Sequence, residues 1–448
     1  ISSFLWGFPL GQGSFSRVLH ARHKCGHDCA IKATPLPPTR SRSSRLLRGT
    51  EHARRERNAL VEISLGLGRN PSGVVRLHAS FYDRHHLYLV LNLMEGVGVS
   101  ISDASASTTL RTLNDYVKFV WSENNANHID YEVGRIRRIF GRLVDIVGGM
   151  HLFLSQTVKE KVNTASENNQ FSERCVIHGD IKPSNIMFDS NGNVNFVDFG
   201  SSTVLFGVAE LRQRMESLHR KCSNANKQEE KRTDDMEGTI EYMAPEIITG
   251  NLSYLRDELS SFDGTCYASF VTPATDLWSL GCVLHLLLTG RTPFSGTGRN
   301  QEPDQVVIGR ILEYAARKDR RVSETEESTE QSLILAGLDL ASLLMAPDPS
   351  KRLGWEDLKT SLLAFQYGRY PDVPCRTDVV SGEMSINRIH FYKSIAAHPF
   401  FNGHTWDGST DKTDFFRLDP HQMLSNISND ELHDGDDPRV LDFILLES

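Results

Sequence analysis

The chain carries His178-Gly179-Asp180-Ile181-Lys182-Pro183-Ser184-Asn185, and Asp198-Phe199-Gly200 begins thirteen residues beyond Asn185. Moving a phosphoryl group needs one carboxylate to orient the attacking hydroxyl and accept its proton. It also needs hard oxygen ligands for the Mg²⁺ ions that bridge the phosphates. Asp180 suits the first task, and Asn185 and Asp198 suit the second. Lys182, two residues past Asp180, is placed to neutralise charge on the moving group. Nearer the start, Leu10-Gly11-Gln12-Gly13-Ser14-Phe15-Ser16-Arg17-Val18 is a glycine-rich turn between two strand-like runs, followed by Ala30-Ile31-Lys32. Glycines let backbone approach phosphate without a Cβ in the way, and Lys32, fourteen residues after Val18, offers phosphate oxygens a point charge. A glycine turn alone is most often only a hairpin, so its order and distance relative to the second segment carry the inference.

The elements that must position these residues change character along the chain. Strand-like alternation fills the first 95 residues, at Phe8 to Leu10, Ser16 to Arg22, Cys29 to Ala33, Val74 to Tyr82 and Leu87 to Leu93. One helix is predicted among them, Gly49 to Leu65, with Ala53, Leu60 and Ile63 at helical spacing. From Leu110 helices dominate: Leu110 to Val120, Tyr131 to Leu154, Ala274 to Leu288, Asp304 to Arg317 and Leu333 to Met345. Short strand-like runs interrupt them near Cys175 to Ile177, Ile186 to Phe188 and Val194 to Val197. Polar stretches near 97–109, 155–173, 208–237, 252–273 and 296–330 lack the apolar periodicity to bury a core, so they read as mobile surface insertions.

The chain has 448 residues, 39% hydrophobic and 24% charged, which excludes collagen-like, coiled-coil and wholly disordered classes. Its net charge of −8 provides no global cationic field, so no nucleic-acid partner is expected. Seven scattered cysteines do not make a disulfide framework and point to a reducing, cytoplasmic setting. The longest apolar run, Leu277 to Gly290, is too short to span a bilayer and reads as a buried helix. The chain starts at Ile1 rather than Met and so reads as a fragment. His23, Cys25, His27 and Cys29 alternate across a hairpin turn without a second ligand pair, which argues against zinc.

With these motifs the chain resembles the eukaryotic protein kinases. The resemblance continues through Gly238-Thr239-Ile240-Glu241-Tyr242-Met243-Ala244-Pro245-Glu246, Asp276-Leu277-Trp278-Ser279-Leu280-Gly281 and Asp348-Pro349-Ser350-Lys351-Arg352-Leu353. It implies an α+β bilobal protein-kinase fold: a small β-rich N-lobe with one main helix over 1–94, a larger α-rich C-lobe with insertions over 95–402, and an acidic tail over 403–448. It further implies ATP and Mg²⁺ as cofactors, with Asp180 and Lys182 catalytic and Asn185 and Asp198 on the metal. The nucleotide would meet Leu10, Gly11, Gly13, Ser14, Val18, Ala30 and Lys32. Adenine would lie between Val18 and Ala30 above and Met187 below, with its edge at the backbone of Asn92 to Met94 after Leu91. Glu56 should pair with Lys32, Glu51 being the alternative, Glu246 with Arg352, and Asp276 should anchor the catalytic loop. Leu60, Leu77, His178 and Phe199 would form a hydrophobic spine.

Within that superfamily the likeness is to the AGC group, and there to the phosphoinositide-dependent protein kinases, carried by Gly-Gln-Gly-Ser-Phe-Ser, by His398-Pro399-Phe400-Phe401 and by Thr405-Trp406. The implied activity is a serine/threonine kinase that phosphorylates activation loops of other AGC-type kinases. Those partners would dock near Arg54, Arg55 and Arg57, in a basic stretch that begins at Arg40, Arg42, Arg45 and Arg48; a plain solvated face is the other reading of the same charges. Two positions depart from the family. Gly179 stands where most protein kinases have arginine, and Asp235 where this family has a phosphorylatable serine, so activity is expected not to wait for phosphorylation there. The positions of acidic substrate selectors hold Gly98, Ser184 and Leu286, which removes the electrostatic basis for choosing basic sequences. A small-molecule phosphotransferase and a pseudokinase scaffold are the rival readings. The Ala244-Pro245-Glu246 block and Arg352 speak against the first, and the complete set Lys32, Glu56, Asp180, Asn185 and Asp198 against the second.

Overall fold

The computed structural model describes residues 3–38, 43–67, 73–100, 107–122, 129–156, 171–217, 239–252, 271–295, 302–316, 329–366, 391–404 and 442–445. Contacts divide the chain into two compact units. One comprises Ile1–Leu113, Ile186–Ser202 and Ser409–Ser448, and the other Asn114–Asn185 and Thr203–Gly408.

The first unit is built on an antiparallel sheet of β1 (Phe4–Gln12), β2 (Arg17–His23), β3 (Asp28–Pro35), β4 (Leu77–Tyr82) and β5 (His86–Asn92), with helix α1 (Ser44–Leu67) between β3 and β4. The strand order is β1-β2-β3-β5-β4. Strand β1 runs longer than its alternation suggested. Its ladder slips on both sides of Pro9, which has no N–H to contribute. One face of the sheet buries Ala21, Cys29, Ile31, Phe81, Tyr88 and Val90, backed by Phe4, Trp6 and Ala33. Helix α1 turns Ala53, Glu56, Ala59, Leu60 and Ile63 inward, the i, i+3, i+4 stripe of a helix that packs on one side.

The β4–β5 turn is held by Asp83. Its Oδ1 accepts the N–H groups of His85 and His86, each at 2.7 Å, and its Oδ2 accepts the Tyr88 hydroxyl at 3.0 Å. Burial pushes this carboxyl up, but the three donors outweigh it and hold the group below the ordinary aspartate value. A depressed folded pKa contributes stability that is present above the unfolded value, near 4, and is lost as pH falls through the folded one. Asp83→Ala is therefore expected to lower stability by about 1–3 kcal/mol at pH 7, with the gap to wild type narrowing in urea melts at pH 3. An equal gap at both pH values would refute this account of the turn.

Residues 97–109, expected as a polar insertion, instead begin and end in a hairpin, β6 (Val97–Ser100) with β7 (Ser107–Leu110). The expected lobe boundary at residue 94 also moves. Gly96 N–H bonds to Phe188 O and Phe188 N–H to Arg111 O, which ties both 95–113 and 186–202 to the first unit.

The second unit contains α2 (Leu113–Val120), α3 (Ile129–His151), β8 (Phe153–Gln156) and β9 (Phe171–Ile177). The strands β10 (Ile186–Phe188) and β11 (Val194–Phe196) that follow form a hairpin belonging to the first unit. The second unit resumes with β12 (Thr203–Phe206), α4 (Val208–Ser217), α5 (Pro245–Leu252), α6 (Pro273–Thr289), α7 (Asp304–Ala316), α8 (Thr329–Leu344), α9 (Trp355–Gln366) and α10 (Lys393–Ala396). Strands β12, β9 and β8 make a three-stranded sheet, and the two ends of the expected 155–173 insertion fall in β8 and in the central strand β9. Helix α6 is the predicted buried helix: every residue except His285 and Thr289 is buried, and α8 packs along it. One further expectation changes. Helix α4 occupies the start of the 208–237 insertion, with Leu211 and Met215 buried one turn apart. Within the acidic tail, β13 (Asp442–Leu445) is an edge strand antiparallel to β4; the acidic run Asp430 to Asp437 lies outside the described residues. Among the described residues no helix is long and apolar enough to cross a membrane.

Candidate active site

In the first unit the site centres on Lys32. Strand β3 lies between β2 and β5, so Lys32 projects from the middle of the sheet, opposite Val18 and Leu89. Its Nζ donates to Glu56 Oε2 at 2.7 Å and to Asp198 Oδ1 at 2.8 Å. Burial works to lower the lysine pKa, but the two carboxylates prevail and hold it above the ordinary value, so the ammonium stays charged. Glu56, on the buried stripe of α1, is 1% exposed. The alternative partner, Glu51, is exposed and pairs instead with Arg55 at 3.5 Å. Asp198 has φ 62°, a left-handed conformation rare outside glycine that aims its carboxylate at Lys32. The next three residues, Phe199–Ser201, form a 3-10 turn that packs on α1, with Phe199 fully buried.

The other residues expected around a nucleotide also belong to this unit. Gly11, near the end of β1, and Gly13 and Ser14, in the β1–β2 turn, are exposed, and Gly13 N–H bonds to Ser16 O at 2.8 Å. Leu10 and Val18 are half-buried, Ala30 and Leu91 are buried partners across β3 and β5, and Met187 on β10 bridges to Thr112. The expected edge at Asn92 to Met94 needs one correction. The Asn92 N–H is already committed to Arg76 O at 3.1 Å, and its Oδ1 accepts from Arg76 N at 2.6 Å, so Asn92 has no backbone N–H to offer a base. Buried Met94 remains available to the expected edge.

In the second unit the site centres on Asp180. Its Oδ2 accepts Lys182 Nζ at 2.7 Å and Asn185 Nδ2 at 3.1 Å, and its Oδ1 accepts the Thr239 N–H at 3.1 Å. Lys182 Nζ also reaches Thr239 Oγ1 at 2.7 Å. Thr239 is the participant that sequence reasoning did not single out. Its signal in the sequence is its place at the start of the block ending Ala244-Pro245-Glu246. Asn185 also donates Nδ2 to the Asp180 carbonyl at 2.9 Å. Its amide nitrogen is thereby spent, and Oδ1 is left as the acceptor end.

The backbone carrying Asp180 hangs from buried Asp276 of α6. Oδ2 accepts the His178 N–H at 2.8 Å and Oδ1 the Gly179 N–H at 2.9 Å. Gly179 has φ 77°, so the position ahead of Asp180 is one that glycine fills without strain. Arg352 donates to Glu246 through two nitrogens, at 2.6 and 2.7 Å, with both side chains fully buried. Of the spine residues, Leu60, Leu77 and Phe199 are buried in the first unit and His178 in the second. Of the expected selector positions, Ser184 is exposed and Leu286 is buried on α6. The hairpin histidines converge on exposed Cys25, whose Sγ lies 2.7 Å from His23 Nδ1 and 3.1 Å from His27 Nδ1, while Cys29 turns away to bond Ala21 O. Asp235, Arg40 and Arg42 lie outside the described residues.

A β-sheet lysine paired with a helix glutamate, together with an aspartate loop hung from a buried helix aspartate, is the arrangement of an α+β protein kinase domain. The family model described as "protein kinase domain" matches residues 169–363. The chain is 26% identical over 360 residues to serine/threonine-protein kinase PKH3 of Eremothecium gossypii, covering 80% of this chain and 35% of that protein. It is 25% identical over 306 residues to putative ribosomal protein S6 kinase alpha-1 of Caenorhabditis elegans, covering 67% and 27%. It is 24% identical over 355 residues to human ribosomal protein S6 kinase alpha-6, covering 78% and 33%. The fold is that of an α+β protein kinase domain, and these relatives are serine/threonine or ribosomal protein S6 kinases by name. The chain spans about a third of the length of these relatives.

Proposed function

We propose that the chain transfers the terminal phosphoryl group of ATP to serine or threonine hydroxyls of protein substrates. The observation that carries this is the bonding of Asp180: Lys182, Asn185 and the Thr239 N–H all donate to its carboxylate, which orients it as a proton acceptor. Lys32, kept charged by Glu56 and Asp198, supplies a fixed cation for phosphate oxygens. The donor chemistry suits Mg²⁺ within each unit by itself: Asn185 of the second offers an amide oxygen and Asp198 of the first a carboxylate, both hard ligands. An Mg²⁺ ion held by such ligands would neutralise charge on the phosphates. Lys182 bridges Asp180 and Thr239, and so stands where it can stabilise the acceptor end of the transfer.

The finer reading is an AGC-type kinase resembling the phosphoinositide-dependent protein kinases, acting on activation loops of other kinases in the cytoplasm. Three features support it: the AGC-like motifs, the lack of acidic selectors at Ser184 and Leu286, and the exposed Arg54 on α1. Arg57 serves the fold instead, through Ser80 Oγ at 2.9 Å, and Arg55 pairs with Glu51, which leaves Arg54 as the principal docking cation of the three. Purified protein with Mg-ATP should phosphorylate kinase-domain substrates, faster when these carry a phosphorylated hydrophobic tail, and should not phosphorylate small alcohols. Arg54→Glu is expected to abolish the tail dependence while leaving the tail-less rate unchanged. Transfer to small alcohols, or tail dependence that survives the reversal, would count against the reading.

A further inference from the structure

Asp180 is held in place by Asp276, and Asp276 is in turn held by a side chain that no sequence motif marks. His151, the last residue of α3, places Nε2 3.0 Å from Asp276 Oδ2 and Nδ1 2.5 Å from the Tyr392 hydroxyl. All three side chains are buried, at 0% for His151 and Asp276 and 1% for Tyr392. Tyr392 immediately precedes α10, 241 residues beyond His151. The site it occupies is built for it. A Cβ at Gly354 would lie 2.8 Å from the Tyr392 ring, so glycine leaves the room. Asp357 of α9 accepts both the N–H and the hydroxyl of Ser394, two residues on, which pins the segment.

We infer that Tyr392 is a positioning residue for the catalytic loop, setting the tautomer of His151 so that an Nε2–H faces Asp276. The inference rests on the kinase reading of Asp180. A neutral imidazole donates from one nitrogen and accepts at the other. Asp276 accepts two backbone N–H groups and can only accept from His151 as well, so the proton belongs on Nε2 and Nδ1 must find a donor. Tyr392 supplies it: burial pushes its hydroxyl well above the ordinary tyrosine value, so the O–H is always present to donate. Without that donor Nδ1 is stranded in the core, or the ring protonates Nδ1 and turns a lone pair on the Asp276 carboxylate. Either outcome loosens the grip of Asp276 on the His178 and Gly179 N–H groups, and with it the aim of Asp180.

The test is Tyr392→Phe, which removes one oxygen and keeps the ring against His151. Tyr116→Phe is the control, because it also removes a buried hydroxyl bond, here to Glu132 of α3 at 2.6 Å rather than to the His151–Asp276 pair. The expected result is a kcat about 3- to 10-fold lower for Tyr392→Phe with KM for ATP and protein unchanged, and no change in kcat for Tyr116→Phe. Ring ¹⁵N–¹H correlation spectra should show His151 in the Nε2–H tautomer in wild type and lose that signature in Tyr392→Phe. A wild-type His151 that is doubly protonated or protonated on Nδ1, a tautomer unchanged in Tyr392→Phe, or a kcat equal to that of the control overturns the inference. If wild type transfers no phosphate, the kinase reading fails, while the spectra still decide whether Tyr392 sets the tautomer.

Discussion

Asp180→Asn is expected to lower kcat by about a hundred- to ten-thousandfold, the range that a positioned general base supplies. The reason lies in its partners as much as in its proton. Lys182 Nζ, Asn185 Nδ2 and the Thr239 N–H are all donors, and they converge on both carboxylate oxygens. A carboxamide replaces one of those acceptors with an NH₂ group, which meets donors with donors and accepts no proton. Lys32→Met should be comparably damaging by a different route: it removes the cation from between Glu56 and Asp198, so two carboxylates face each other with nothing to neutralise them. Both variants should stay folded by circular dichroism, because neither empties a core position. The check is ADP production and phosphate incorporation with purified protein and an established kinase-domain acceptor. A rate within tenfold of wild type for either variant would remove that residue from the assigned chemistry.

The second large effect is on stability. Arg352→Met should destabilise the second unit by about 3–5 kcal/mol, the usual cost of leaving one member of a buried ion pair without its partner. Arg352 donates twice to Glu246, once to Ala274 O at 2.6 Å and once to Ala346 O at 2.9 Å, and its guanidinium lies 5.1 Å from the centre of the Trp278 ring. Methionine fills much of the same volume but leaves the Glu246 carboxylate buried and unneutralised. The thermal midpoint should fall on the order of 10 °C. Adding Glu246→Leu should recover most of the loss, since an apolar pair of similar volume carries no desolvation cost. A single variant that melts with wild type, or a double variant no better than the single, would show that the pair is not what holds α5 to the following segments.

Much of this site is legible in the residue order. The Asp180 loop, Asp198 and Lys32 come from short motifs at fixed spacing, and local spacing survives folding; Glu56 ahead of Glu51 comes from the kinase resemblance, and the structure pairs Glu56 with Lys32. What escaped has a physical reason in each case. Helix α4 carries only two buried apolar residues, Leu211 and Met215, in a polar setting, and its helicity depends on packing that the local pattern does not contain. Helix α9, with Trp355, Leu358 and Leu362 buried, was not distinguished from the polar sequence around it. Val97–Ser100 and Ser107–Leu110 pair as strands because backbone pairing asks little of side-chain hydrophobicity. Residues 186–202 were assigned with the helical half because they follow it in order, yet backbone bonds return them to the first unit. Tyr392 is the extreme case: an unremarkable tyrosine whose partner lies 241 residues away.

Gly179 also bears on how such an enzyme could be rewired. At φ 77° a side chain there carries about 1–2 kcal/mol of backbone strain, borne at the residue next to Asp180. An engineer who inserted arginine to make the loop answer to a phosphate would therefore trade stability for control. The exchange is uphill in that direction and downhill in reverse, so drift toward glycine is easy and the return needs reinforcement around Asp276.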